Sequence, residues 1–216
     1  FDKNDAGFSV TDITECDNGS IAFRFTGSGN QPGNLDSSVL LHESFERDKQ
    51  WTNWTQQQIS GYASWTRTAA FGDVPDGKYF LKLTKKPESI NPLTIATTLT
   101  SPLFACDSNE NQSEAQPVKI TISFQVKSSM TEPSSFSVTL TQGGAHLVAR
   151  QLKIEKSEEW SEQSLDVEIP SGNHPELQLG ILAEVNATCK GNLCIDNIRV
   201  TATRPHAALE TTFDHG

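Results

Sequence analysis

The chain reads as an all-β protein folded as a sandwich of antiparallel sheets, and three observations predict it. Apolar residues alternate at period two in one short segment after another. No window of helical length carries a 3.6-residue apolar stripe, and turn residues recur at the intervals that sandwiches use. At 216 residues, one main domain of this class is expected, because all-β sandwiches occupy such lengths alone.

Residues 8 to 26 alternate twice, with Phe8, Val10 and Ile13 as one apolar set and Ile21, Phe23 and Phe25 as another. The turn Cys16-Asp17-Asn18-Gly19-Ser20 between them contains Asn-Gly, which favours the positive backbone angles of tight hairpins. Gly27-Ser28-Gly29-Asn30-Gln31-Pro32-Gly33-Asn34 then has the composition of a flexible connector. The expected division is therefore a β-hairpin and linker over 1–35, a β-sandwich over 36–203 and a C-terminal tail over 204–216.

The strand Val39-Leu40-Leu41-His42-Glu43-Ser44-Phe45-Glu46 opens the sandwich and ends in an acidic turn. Trp51, Trp54 and Trp65 follow among polar Gln and Thr. Aromatics on sandwich strands are usually core, whereas aromatics on exposed loops stack on sugar rings. Trp65 is expected in the core, and Trp51 and Trp54 are the candidates for a sugar-stacking face. Gly72-Asp73-Val74-Pro75-Asp76-Gly77 is a turn with two carboxylates that delivers the chain into a strand with Tyr79, Leu81 and Leu83 on one face. Further strands are expected over 95–99, 120–126, 136–140, 146–154, 163–169 and 177–182.

The closing strand, Cys194-Ile195-Asp196-Asn197-Ile198-Arg199-Val200, is expected to pair with the 39–46 strand. Its Asp196 lies between apolar neighbours, where an uncompensated carboxylate is costly to bury. A hard cation such as calcium, shared with the acidic turn at Glu43 and Glu46, would compensate it; the alternative is a hydrogen-bonded or solvent-edge Asp.

A formal charge of -10 and a pI near 4.9 argue against a nucleic-acid partner, which draws on clustered Lys and Arg. No apolar run approaches the ~18 residues of a membrane span, so membrane insertion is not expected, and the chain is expected to be monomeric. Of four cysteines, Cys189 and Cys194 enclose a short polar turn and are expected to form a disulfide. Cys16 and Cys106 remain for each other, although four cysteines allow three pairings that sequence does not separate. Four sequons begin at Asn18, Asn53, Asn111 and Asn186. The start at Phe1 lacks a basic segment and an apolar run, so any leader is expected to lie upstream or to have been removed.

The succession of Leu41 to Glu46, the aromatic segment to Trp65, Asp76-Gly77-Lys78-Tyr79-Phe80-Leu81, Leu99-Thr100-Ser101-Pro102, Ile120 to Val126, Phe136 to Leu140, Trp160 and Ile195-Asp196-Asn197-Ile198 resembles the jelly-roll modules of the MAM, cleaved-adhesin and carbohydrate-binding group. The resemblance covers residues 36–203. It implies a jelly-roll sandwich with a calcium or sodium ion beside the Phe-Glu turn and the Asp of the final strand. Glu46, Asp76 and Asp196 would hold that ion, with Glu43 in reserve. The hairpin Gly7 to Ile13 and Ile21 to Phe25 is similar to the segment after the catalytic domain of secreted immune-inhibitor-A-like metallopeptidases of Bacteroides-type bacteria. That likeness implies a non-catalytic C-terminal part of a larger exported protein.

Catalytic motifs are absent from the sequence. His42-Glu43 lacks the second His of a zinc-peptidase helix, no Glu-x-Asp-x-x-Glu strand supplies paired glycosidase carboxylates, and no Gly-x-Ser-x-Gly elbow occurs. The five histidines, at 42, 146, 174, 206 and 215, are scattered and expected at the surface. The expected function is a non-catalytic, secreted or cell-surface module that binds a glycan or an extracellular protein. The alternatives are a structural accessory domain of a secreted peptidase and a jelly-roll polysaccharide-degrading enzyme.

Overall fold

The computed structural model describes residues 8–15, 21–27, 35–51, 53–70, 73–85, 93–106, 117–170 and 172–205. Fourteen strands and one helical turn are present among them: β1 (Phe8–Glu15), β2 (Ile21–Gly27), β3 (Leu35–Glu43), α1 (Asp48–Trp51), β4 (Thr55–Ser60), β5 (Ala63–Ala69), β6 (Tyr79–Lys85), β7 (Thr94–Thr100), β8 (Phe104–Cys106), β9 (Val118–Ser128), β10 (Ser134–Gln142), β11 (Ala145–Ile154), β12 (Ser157–Ile169), β13 (His174–Asn186) and β14 (Leu193–Pro205). They form two antiparallel sheets packed as a jelly-roll-like sandwich. One sheet runs β1-β2-β3-β14-β6-β5, with β9 joining β14 to β12; the other runs β11-β10-β13-β7-β4, with β8 on β13.

The alternation read from the sequence is the alternation that fills the space between the sheets. Val118, Ile120, Ile122, Phe124 and Val126 of β9 face Phe136, Val138 and Leu140 of β10 and Leu177, Leu179, Ile181 and Val185 of β13, all of them buried. Trp65 and Phe124 each meet the Phe136 ring, with centroids 6.3 and 5.8 Å apart. Burying one such side chain contributes on the order of 2 kcal/mol.

The expected partnership of the closing strand with β3 is present, with Ile198 opposite Glu43 and Val200 opposite Leu41. Strand β14 also pairs with β6 through residues 193–195 and with β9 along most of its length. Its register on β9 shifts between Asp196 and Arg199, where Asn197 adopts φ +48°. This bulge explains the spacing of the buried residues: Leu193 and Ile195 before it, Ile198, Val200 and Ala202 after it. Without the extra residue, one half of β14 would present its apolar side chains to the wrong face.

Some expectations change. Strand β4, Thr-Gln-Gln-Gln-Ile-Ser, lacks apolar alternation because it is an edge strand exposed over most of its length. His174, expected in a surface turn, is 7% exposed and begins β13, with Nδ1 2.9 Å from Gln142 Oε1 and Nε2 2.8 Å from the Pro170 carbonyl. The expected hairpin forms from β1 and β2, with a register shift between Thr11 and Thr14, and joins β3 through Arg24 opposite Ser38. The connecting turn at 16–20, the linker at 28–34, the sequons at Asn18 and Asn111, Cys16, and the tail from 206 lie outside the described residues. Strand β14 itself runs to Pro205, into the expected tail.

The expected Cys189 to Cys194 disulfide is not formed; both are buried free thiols. The two side chains serve different surroundings. Cys189 Sγ lies 3.3 Å from Thr131 Oγ1 and 3.2 Å from the Glu132 N–H, whereas Cys194 lines the outer face of the β14 sheet. The enclosed turn is held instead by backbone pairing, Ser129 N–H to Asn192 O and Thr131 N–H to Lys190 O, at 2.9 and 2.8 Å. Cys106 is fully buried and its sulfur accepts from Arg204 Nη2 at 3.3 Å.

Gly191 tests how tightly that turn seats. Its φ is +111°, and a Cβ there would lie 2.2 Å from the Ser129 carbonyl oxygen. Gly191→Ala is expected to cost about 3 kcal/mol in chemical denaturation, from strain and overpacking together. Gly143→Ala, at φ +55° in open space, is expected to cost only ~1 kcal/mol. Equal losses at both positions would mean that the 189–192 turn is not seated on residues 129–131.

Candidate functional site

Between Ile195 and Ile198, one edge of β14 changes partner from β6 to β3. The acidic residues singled out in the sequence gather at this junction. Asp196 is 0% exposed, and its oxygens accept the Asn197 N–H at 2.7 Å and the Asp76 N–H at 3.2 Å. Burial, with the Asp76 and Glu46 charges adding to it against those two hydrogen bonds, pushes its pKa up to about 7. Glu46 Oε1 accepts the Lys78 and Tyr79 N–H groups at 2.6 and 2.5 Å, capping the start of β6. Asp76 Oδ2 lies 3.1 Å from His42 Nε2, which is also 3.0 Å from Asn197 Oδ1.

Glu43, the reserve ligand, is 1% exposed. Its Oε1 accepts the Phe45 N–H at 2.6 Å and its Oε2 the Trp54 indole N–H at 3.0 Å. Burial raises its pKa, against the hydrogen bonds from Phe45 and Trp54 and the charge of Arg67. These bonds hold Phe45 at φ +60°, an unusual conformation for a bulky side chain. Arg67 clamps the same turn from the far side. Its Nε donates to Phe45 O and its Nη2 to Glu46 O, at 2.5 and 2.9 Å, while its guanidinium lies 3.4 Å over the Tyr79 ring.

Trp54 is therefore not a sugar-stacking residue. At 5% exposure it belongs to the core, and its one polar group is committed to Glu43. Trp51 is half-buried, its ring edge-on to Phe45 at 5.7 Å. The spacing of the two tryptophans brought them together around Phe45 and not on an exposed face. Among the described residues, no three His, Cys, Asp or Glu side chains form a ready ion cage; each carboxylate of the junction instead meets N–H donors or an imidazole.

The aromatic surface that the sequence reading missed lies on the outer face of the β14 sheet. The register of β12 on β9 shifts between Ser157 and Ser161, and within that irregular segment Trp160 reaches across the sheet. Its Nε1–H donates to the Asp73 carbonyl at 2.7 Å, and its ring stands edge-on to Phe80 at 5.6 Å. With Ala70, Asp73, Lys127, Ser129, Glu158, Asn192 and Cys194 they line a half-open cleft of about 280 Å³. Lys127 Nζ lies 3.4 Å from Asp73 Oδ2. Burial pushes the Cys194 thiol to about 11, against the charges of Lys82 and Lys127, so it is a neutral wall of the cleft and not a nucleophile. The loop that carries Asp73 is the one whose Asp76 N–H is tied to Asp196, so the junction positions one side of the cleft.

No family model and no curated protein matches the chain. Among solved structures it is similar to the K3 cleaved-adhesin domain of the Lys-gingipain of Porphyromonas gingivalis, at TM-score 0.50 and 13% identity over 76% of this chain and 98% of that one. That likeness shows the fold. Weaker matches include a xylan-binding domain from Paenibacillus barcinonensis, at TM-score 0.44 and 18% identity over 81% of this chain and 97% of that one. The enzymatically active domain of tailspike protein 4 from bacteriophage CBA120 matches at TM-score 0.49 and 16% identity over 69% of this chain. This chain spans 19% of the tailspike chain.

The charge state of Asp196 gives the junction a pH signature. Its pKa in the fold is above its ordinary 3.8, so the folded state holds the proton more tightly than the unfolded one. The resulting stability is complete below about pH 4 and is lost as pH rises through about 7. Comparison of melting at pH 5 and 8 in chelator is expected to show a decline of ~2 to 4 kcal/mol at this site that Asp196→Asn removes. An unchanged decline in the variant would assign it to other groups.

Proposed function

We propose that this chain is a non-catalytic, extracellular carbohydrate-binding module whose ligand occupies the Phe80 and Trp160 cleft. The observation that carries the reading is the pairing of an aromatic wall with a polar rim. A pyranose presents an apolar C–H face and a girdle of hydroxyls. Phe80 and Trp160 offer the first an apolar surface; Asp73, Lys127, Ser129, Glu158 and Asn192 offer the second donors and acceptors. Trp160 is fixed for this task by its bond to Asp73 O and its contact with Phe80, so little side-chain entropy is lost on binding. An adhesin domain built on the same fold supports a binding role.

A structural cation belongs to the same reading. Glu46, Asp196 and the Asp76 turn would hold a hard ion such as calcium, which when bound would neutralise the Asp76 and Glu46 charges that add to the raised pKa of Asp196. The fit is one of charge: Asp196 is desolvated beside Glu46 and Asp76, with two N–H bonds against its burial. Above pH 7 calcium is then expected to raise Tm by a few degrees in the native chain and not in Asp196→Asn. A melting curve indifferent to calcium would leave Asp196 to be balanced by its proton and its two N–H donors.

Titration of neutral oligosaccharides tests the cleft. Trp160→Ala and Phe80→Ala are each expected to weaken binding about tenfold or more, in line with truncation of a central aromatic contact. Trp51→Ala is expected to leave affinity unchanged. Trp54→Ala is expected to cost ~3 to 5 kcal/mol of stability, as a core aromatic. Loss of binding in Trp51→Ala but not in Trp160→Ala would move the site to the other tryptophan cluster.

A further inference from the structure

The charges around the cleft narrow its ligand further, on the premise that it is a sugar site. We infer that it takes a neutral sugar unit, one or two rings long, and discriminates against anionic sugars. Among the described residues lining it, Asp73 and Glu158 carry negative charge and Lys127 carries positive charge. The Lys127 ammonium already has a carboxylate within 3.4 Å, that of Asp73, so Glu158 leaves the rim negative. No arginine is among the described residues that line the cleft, so these offer no planar fork to bind a carboxylate in two places. Lys82, opposite Cys194 on β6, lies outside the lining, and its charge reaches the Cys194 wall on the side away from Glu158's own strand, β12. The chain's formal charge of -10 adds long-range repulsion to this local one.

Neutral hydroxyls meet no such penalty. The Asp73 and Glu158 carboxylates accept from them, the Asn192 amide and Ser129 hydroxyl can do both, and Lys127 donates. A volume of about 280 Å³ lies just below the ~300 to 1,000 Å³ of pockets for drug-sized ligands. The cleft therefore holds a short unit at a chain end or branch, with the remainder of a longer glycan outside.

Calorimetric titration of the full chain with tetraoses of glucose, galactose and mannose, and with their C6-oxidised uronate forms, tests the inference. At least one neutral tetraose is expected to bind, with its uronate at least about tenfold weaker at low ionic strength, where like charges are least screened. The gap is expected to narrow at about 1 M salt. It is also expected to narrow in the double variant Asp73→Asn, Glu158→Gln, which keeps the shape of the rim. Uronates that bind as tightly as the neutral forms, with Trp160→Ala abolishing both, would overturn the charge inference and leave the cleft as a sugar site. If no tetraose of either kind binds, the sugar reading and the inference built on it both fail.

Discussion

A β-strand has two hydrogen-bonding edges, and β14 has three neighbours. One edge is taken by β9, so β3 and β6 must share the other, β6 opposite residues 193–195 and β3 from Ile198 onward. Wherever one partner leaves and another arrives, backbone groups lose their regular mates, and a buried unpaired group costs ~1 to 3 kcal/mol. The junction at Asp196 and Asn197 is the chain's answer to that shortage. Carboxylates stand in for missing backbone carbonyls: Asp196 accepts from residues 76 and 197, Glu46 from 78 and 79, and Glu43 from 45.

This solution introduces negative charge where water is scarce. The conflict appears in the raised pKa values of Asp196 and Glu43, in both of which desolvation outweighs the hydrogen bonds that oppose it. It appears also in the backbone, since Phe45, Asp73 and Asn197 all adopt positive φ, two of them residues that tolerate it and one that does not. The Arg67 clamp on Phe45 and Glu46 supplies one compensating charge. A buried ionic arrangement of this kind is weak evidence for net stability. Its structural consequence is geometric: it fixes where the 73–78 loop crosses the sheet, and thus where the Asp73 carbonyl awaits Trp160.

Much of this was legible in the sequence, for identifiable reasons. Period-two alternation marks the long strands whose inner face meets the core, so β9, β10, β13 and the two partners β3 and β14 could be read directly, whereas the shorter β5 and β8, which bury Trp65 and Phe104, were not expected as strands. The edge strand β4 has no buried face and left no such mark. The meeting of Glu46 with Asp196 followed from pairing the first sandwich strand with the last, and the place of Asp76 beside them was implied by the resemblance to jelly-roll modules. That each carboxylate would turn toward N–H groups did not follow, because it depends on loop paths that no local pattern encodes. The interval of three between Ile195 and Ile198 is a trace of the bulge, since a regular strand would place those residues on opposite faces. The cysteine pair misled because closeness in sequence does not set the direction of side chains. Cys189 lies in a turn facing Thr131, and Cys194 in a strand facing outward.

The tryptophans show most clearly what sequence leaves open. Trp54 and Trp160 both sit among polar neighbours in sequence, and each finds one acceptor for its indole N–H. For Trp54 the acceptor is the Glu43 carboxylate, itself inside, so satisfying the N–H draws the whole ring into the core. For Trp160 it is a carbonyl of the loop crossing the outer face, so the same requirement leaves the ring half-buried on the surface beside Phe80. Composition and spacing are nearly silent on that difference. The location of the acceptor decides it, and both acceptors are placed by the junction on β14: Glu43 as the residue opposite Ile198, and Asp73 as part of the loop tied to Asp196. The strand-sharing that the core requires thus buries one aromatic and presents the other.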